Sequence, residues 1–181
     1  GGALLLIGPN GSGKSSLLRL MAGLTPPLRG ALSWDGAGIG EAPAAHRMRL
    51  HFVGHQDALK PVLTAAEMLA FWAALRETPT DRVLPALQKF HLAERADWPC
   101  RVLSAGQRRR LALARLLASP APLWLLDEPT TGLDEASTQD LLAAIAGSRS
   151  PGRNASLQVM TGAERSRPGA PQRPQRIRLE A

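Results

Sequence analysis

The chain has 181 residues, 44% of them hydrophobic and 20% charged, which is enough for one domain with its own core and ordinary for a globular protein. No apolar run reaches the roughly 18 residues of a membrane-spanning helix, so any membrane role is expected to come through a partner. One cysteine, Cys100, excludes an intramolecular disulfide framework and fits a reducing compartment as a small, partly buried residue.

The net charge of +7 raises the question of nucleic acid, but five of those seven charges belong to residues 147–181, where seven arginines face two glutamates among Pro and Gly. The rest of the chain is close to neutral, and no nucleic-acid partner is expected.

Taken in chain order, GGALLLIG (residues 1–8) predicts a short buried strand ending in glycine. Residues 15–24 place Leu17, Leu18 and Met21 on one helical face, and the pattern stops near Gly23 and Pro26. LHFVGHQ (50–56) predicts a second strand. Thr64 with Glu67 three residues on has the form of a capping box, opening a helix to about Arg76. Asp81 is expected to cap another helix, to about His91. Residues 104–117 are helical again, with Leu111, Leu113, Leu116 and Leu117 apolar. PLWLLDEP (122–129) predicts a third buried strand ending in two acids, and Asp134 can cap a helix through Ile145. After Gly147 all periodicity is lost. There is no internal repeat. Alternation of strands and helices predicts an α/β fold with a mainly parallel sheet.

Two motifs carry chemistry. Gly8, Pro9, Asn10, Gly11, Ser12, Gly13, Lys14 and Ser15 fit G-x-x-x-x-G-K-[ST] between a predicted strand and a predicted helix, which is the setting of a phosphate-binding loop. Glycines let successive N–H groups face phosphate oxygens at a helix N-terminus, where Ser16 also lies. Lys14 would reach the β- and γ-phosphates of ATP, and Ser15 would coordinate Mg²⁺. Further on, Asp127 at the end of an apolar strand can hold Mg²⁺ through water, and Glu128 can orient or deprotonate the attacking water.

Between these motifs lies LSAGQRRR (103–110). In order and spacing, the phosphate loop, LSAGQ and LLDEPTTGLD resemble the ATP-binding domains of ABC transporters. The resemblance implies a phosphate-loop NTPase fold with a small helical subdomain over about 57–118. It also implies a head-to-tail homodimer sharing its ATP sites, and integral membrane permease subunits that hold it on the cytoplasmic face of the bacterial inner membrane as a peripheral subunit. Ser104, Ala105, Gly106 and Gln107 match the signature that closes over the γ-phosphate of the other subunit, with Ala105 in place of a glycine. Gln56 matches the glutamine that senses Mg²⁺ and meets the membrane partner, Asp134 the acidic loop at the dimer interface, and Arg110 a residue bracing the signature. For the arginines 108–110 a basic turn on a solvated helix stays open as the plainer reading. GPNGSGKSSLLRLMAGL, GHQDALKPVLTAAE, the alanine of LSAGQ and the tryptophan of PLWLLDEP are most similar to the haem-exporter ATP-binding subunits of cytochrome c maturation.

The chain also departs from that family. It opens at the strand before the phosphate loop and has no tyrosine, so the adenine-stacking region is expected to be missing and the sequence partial. About 30 residues after Glu128 the family has an apolar strand ending in a histidine on the γ-phosphate, whereas all four histidines here (46, 51, 55, 91) precede Asp127 and SLQVMTGAER stands in its place. Residues 1–146 are therefore expected to form the ATPase domain without that strand, and 147–181 a disordered or frame-disrupted tail; compound frame disruption and true divergence both stay open. His51 and His55 flank a strand, but no cysteine or carboxylate sits at ligand spacing, so a metal-ligand role is not expected. Phe71 and Trp72 are left between packing inward and facing the membrane partner.

Overall fold

The computed structural model describes residues 2–148 and 157–162. Four strands, β1 (Ala3–Ile7), β4 (Leu50–Val53), β5 (Leu123–Leu126) and β6 (Leu157–Gly162), form a parallel sheet in the order β1-β6-β5-β4. A two-stranded antiparallel ribbon, β2 (Ser33–Trp34) and β3 (Ala37–Gly38), stands apart from it. The helices are α1 (Lys14–Met21), α2 (Pro43–Met48), α3 (Ala65–Leu75), α4 (Val83–Lys89), α5 (Ala105–Ala118) and α6 (Glu135–Gly147).

β5 shows how the sheet divides the interior. All four of its residues are buried. Trp124 and Leu126 enter a large core shared with α3, α4, α5 and α6, while Leu123 and Leu125 enter a smaller one with Leu18 of α1 and Leu50 of β4. Successive side chains point to opposite faces, so a continuous apolar run is what a strand covered on both sides requires. α3, α4 and α5 pack against one another on the first face. Lys89 and His91, at the end of α4, reach Asp140 of α6 at 2.7 and 2.8 Å, tying the two elements together.

Local signals account for several helix ends. α1 stops where Gly23 takes a left-handed φ of 65°, with the Gly23 and Leu24 N–H groups donating back to Leu20 and Arg19. Thr64 and Glu67 exchange both bonds of a capping box at the start of α3.

Three expectations are corrected. The first strand is not buried: β1 lies at the sheet edge, with Leu4 and Leu6 on the smaller core and Leu5 and Ile7 about half exposed (45% and 53%). Asp81 caps nothing; it lies within a 3₁₀ turn, Thr80–Arg82, that runs directly into α4 and already supplies the preceding turn. Most consequentially, the strand expected to be absent after Gly147 is present. LQVMTG forms β6 and pairs with β1 on one side and β5 on the other. Its sequence is neither a pure apolar run nor a clean alternation, so pattern alone misses it; pairing on both edges supplies what the pattern lacks. The rest of the expectation for the tail falls on 149–156 and 163–181, outside the described residues.

Candidate functional site

The phosphate-loop residues lie between β1 and α1. Left-handed φ values at Gly11 (82°) and Gly13 (88°) let the chain double back, a turn that only glycine makes without strain. Gly13 is also the N-cap of α1, and no side chain caps it. The first N–H groups of the helix therefore lack intrahelical partners, and the positive end of its dipole faces the same way. Lys14 Nζ lies back over the loop, donating to the carbonyls of Gly8 (2.8 Å) and Pro9 (2.9 Å). Asn10, Gly11, Gly13, Lys14, Ser15 and Ser16 line an open cavity of about 320 Å³, and Glu128 is the remaining lining residue.

Glu128 gets there through the sheet. β1 and β5 run parallel on either side of β6, so the loop after Ile7 and the acids after Leu126 leave the same edge. Two inter-strand spacings separate them, roughly 10 Å, the scale of a nucleotide's phosphate chain. Asp127 continues β5, its N–H donating to Val53, and it is buried. Glu128 then turns sharply, with a left-handed φ of 45° that few non-glycine residues adopt.

Two residues meet this turn that the sequence reading did not single out. Thr161 of β6 donates its hydroxyl to Asp127 Oδ1 (2.7 Å) and accepts the Glu128 N–H (2.8 Å). Arg109 of α5 lies beneath, buried, with Nη2 donating to the carbonyls of Asp127 (3.2 Å) and Glu128 (3.0 Å). Its Nη1 donates to Gly54 (2.8 Å) and pairs with the carboxylate of Asp57 (3.3 Å). The solvated-helix reading of the three arginines therefore fails for Arg109. A signal was present: Arg109 precedes Leu113 by four and Leu116 by seven residues, which places it on the apolar stripe of the helix. Arg108 and Arg110 reach the nearby carbonyls of Leu103 and Phe90.

The signature residues sit at the N-terminus of α5. Ser104 is its N-cap and forms a capping box with Gln107, whose side chain accepts the Ser104 N–H at 2.9 Å. The S-x-x-Q spacing is the sequence sign of that box. A side chain at Gly106 would stand 3.5 Å from the Gly132 carbonyl, so this end of α5 lies against the TTGLD segment. Asp134 in that segment N-caps α6 through the Ser137 N–H (2.7 Å), and hydrogen bonding from Ser137 holds its carboxyl below the usual range. None of Ser104, Ala105, Gly106, Gln107 and Asp134 lines the phosphate-loop cavity. Gln56 is exposed on the loop after β4, one residue before the Asp57 that Arg109 pairs, and does not line the cavity either.

Ser15, Asp127 and Gln56, the three residues expected to hold Mg²⁺, each carry an oxygen donor of the kind that ion takes, and of the three only Ser15 lines the cavity. Among the described residues no three of His, Cys, Asp and Glu group as a metal site. His51 is a core residue beside Trp72, its Nε2 on the Ser119 carbonyl. Trp72 also carries the Arg115 guanidinium over its ring, 4.7 Å from the centroid, and Phe71 and Trp72, both partly buried, pack against the larger core. Burial, with Arg76 and Arg109 nearby, brings Arg115 down to about 10. Cys100 is buried, and burial pushes its thiol up.

Residues 1–131 match the family model described as ABC transporter. The chain is 53% identical over 174 residues to the cytochrome c biogenesis ATP-binding export protein CcmA of Paramagnetospirillum magneticum, covering 94% of this chain and 79% of that protein. Among solved structures it is similar to an ATP-binding subunit of an ABC transporter (TM-score 0.78, 27% identity, 88% of this chain and 67% of that one). It is also similar to an ATP-binding cassette solved as a dimer in a post-hydrolysis state with ADP and Pi (TM-score 0.76, 26% identity, 88% and 73%).

Proposed function

This chain belongs to the ABC transporter family, and on that premise we propose that it is the subunit that binds and hydrolyses ATP for an exporter of cytochrome c biogenesis, with haem as the cargo. The described residues form one ATP-binding unit, with α3, α4 and α5 as its smaller helical part. The chain works as a homodimer on membrane permease subunits, at the cytoplasmic face of the inner membrane. No helix among the described residues is long and apolar enough to cross a membrane itself.

In this reading the residues from Gly8 to Ser16 bind the phosphates through backbone N–H groups and the α1 dipole, and Lys14 turns from the Gly8 and Pro9 carbonyls to the β- and γ-phosphates. Ser15, Asp127 and Gln56 hold Mg²⁺, which when bound neutralises charge on the phosphates. Glu128 takes a proton from water as the water oxygen bonds to the γ-phosphorus and the bond to the β-phosphate oxygen breaks, giving ADP and phosphate. Ser104, Ala105, Gly106 and Gln107 from the partner copy close over the γ-phosphate, and Asp134 lies at the shared interface.

The observation that carries this is the single cavity lined by both the phosphate-loop residues and Glu128, with the signature residues outside it. A site that has its phosphate cradle and base but not its signature fits completion by a second copy. The test is ATP binding and hydrolysis in two variants. Lys14→Ala is expected to abolish Mg-ATP binding, and Glu128→Gln to retain binding while hydrolysis stops. Parent-like binding by the first variant sinks the phosphate-loop assignment, and parent-like turnover by the second sinks Glu128 as the base.

A further inference from the structure

We propose that Arg109 and Thr161 are positioning residues that together hold the Glu128 peptide in its left-handed turn, and so aim the Glu128 carboxylate into the phosphate-loop cavity. The proposal rests on the reading of Glu128 as the base and extends it to two residues outside the recognised motifs.

The geometry is a clamp on both ends of one residue. The Glu128 N–H is fixed from β6 by Thr161 Oγ1 at 2.8 Å, and its carbonyl from α5 by Arg109 Nη2 at 3.0 Å. A φ of 45° is disfavoured for a residue with a Cβ, so an unrestrained Glu128 would relax to an ordinary region and swing its side chain away. Both clamping groups are buried, Thr161 at 2% exposure and Arg109 at 6%, so water does not readily replace either bond.

Each clamp also grips a second segment of the site. The Thr161 hydroxyl uses its proton on Asp127 Oδ1 (2.7 Å) while its lone pair receives the Glu128 N–H, so one oxygen orients both acids. Arg109 spreads its fork between the Asp127 and Glu128 carbonyls and the loop that carries Gln56, through Gly54 and Asp57. A lysine cannot make that planar set of bonds. The signature helix, the glutamine loop and the two acids are thereby joined through one guanidinium.

The experiment compares the full chain with Thr161→Val, Thr161→Ser, Arg109→Lys and Glu128→Gln, reading single-turnover hydrolysis, the Kd of a fluorescent ATP analogue, and the Mg²⁺ concentration for half-maximal binding of that analogue. Thr161→Val is expected to slow hydrolysis about 10-fold or more and to raise the Mg²⁺ midpoint by about 10-fold, as loss of an outer-shell partner does. At saturating Mg²⁺ its Kd should stay within about threefold, since the phosphate cradle is untouched. Thr161→Ser, which keeps the hydroxyl, should restore both quantities, and Arg109→Lys should slow hydrolysis with parent-like Kd. An unchanged Mg²⁺ midpoint and rate in Thr161→Val, or Thr161→Ser as impaired as Thr161→Val, overturns the clamp. Should Thr161→Val fail to fold, a parent-like rate in Arg109→Lys overturns it equally. Glu128→Gln separates the two readings: parent-like turnover there removes the base itself, whereas an inactive Glu128→Gln beside a parent-like Thr161→Val removes only the clamp.

Discussion

Nε2 of His51 lies 2.5 Å from the backbone carbonyl oxygen of Ser119, joining β4 to the end of α5 inside the core. A carbonyl only accepts, so the proton of the neutral ring sits on Nε2. Burial first, then the nearby charges of Arg115 and Arg76, holds the imidazole well below its ordinary range. The folded protein therefore refuses a second proton that the unfolded chain takes up below about pH 6.5. The stability tied to this group should be present in full above that pH. It should fall as pH drops, by about 1.4 kcal/mol per unit until the folded-state value is reached. Urea midpoints between about pH 7.5 and 5 should show that slope in the parent and not in His51→Gln, which keeps a donor for Ser119. Parallel curves for the two proteins would show that another group governs the acid limb.

The two capping boxes make a matched pair. Thr64 with Glu67 and Ser104 with Gln107 have the same geometry, but only Ser104 is assigned to the shared nucleotide site. Thr64→Ala and Ser104→Ala should each lower unfolding stability by about 1 kcal/mol. Only Ser104→Ala should also weaken ATP-dependent dimerisation, measured by sedimentation at saturating nucleotide. Equal dimerisation in both variants would leave Ser104 as a cap and nothing more.

Glu128→Gln should accumulate the ATP-bound dimer, because the residue lines the phosphate cavity but makes no part of its cradle. Size-exclusion chromatography with Mg-ATP checks this. A monomer at saturating ATP would contradict a site shared between two copies.

Gly162 closes β6 in register with Ile7, immediately before the phosphate loop. At the end of this strand the family resemblance implies a histidine, and all four histidines of this chain lie earlier, at 46, 51, 55 and 91. Turnover of the parent chain is accordingly expected to be low, and Gly162→His to raise it by up to about 100-fold, the scale of one transition-state donor. Phosphate release at saturating Mg-ATP is the measurement. Equal rates would show that a side chain at this strand end is not what limits hydrolysis.

Much of this site is local and therefore legible in a linear sequence. The turn between β1 and α1 needs left-handed glycines at 11 and 13, the caps at Thr64 and Asp134 act within three residues, and the apolar run before Asp127 follows from burial on both faces of β5. Each of these is enforced by neighbours along the chain. What the sequence alone did not decide depends on contacts between residues far apart in it. β6 is a strand because β1 and β5 offer hydrogen-bonding edges on both sides, and LQVMTG needs them since its own pattern is weak. Arg109 looked like one of three surface arginines until α5 buried it beneath carbonyls 18, 19 and 55 residues away. Thr161 carried no signal of its own and matters because sheet order sets it beside Asp127 and Glu128. Motifs are written in short-range geometry, whereas the groups that hold them in place are chosen by packing, and packing exists only once the sheet has closed.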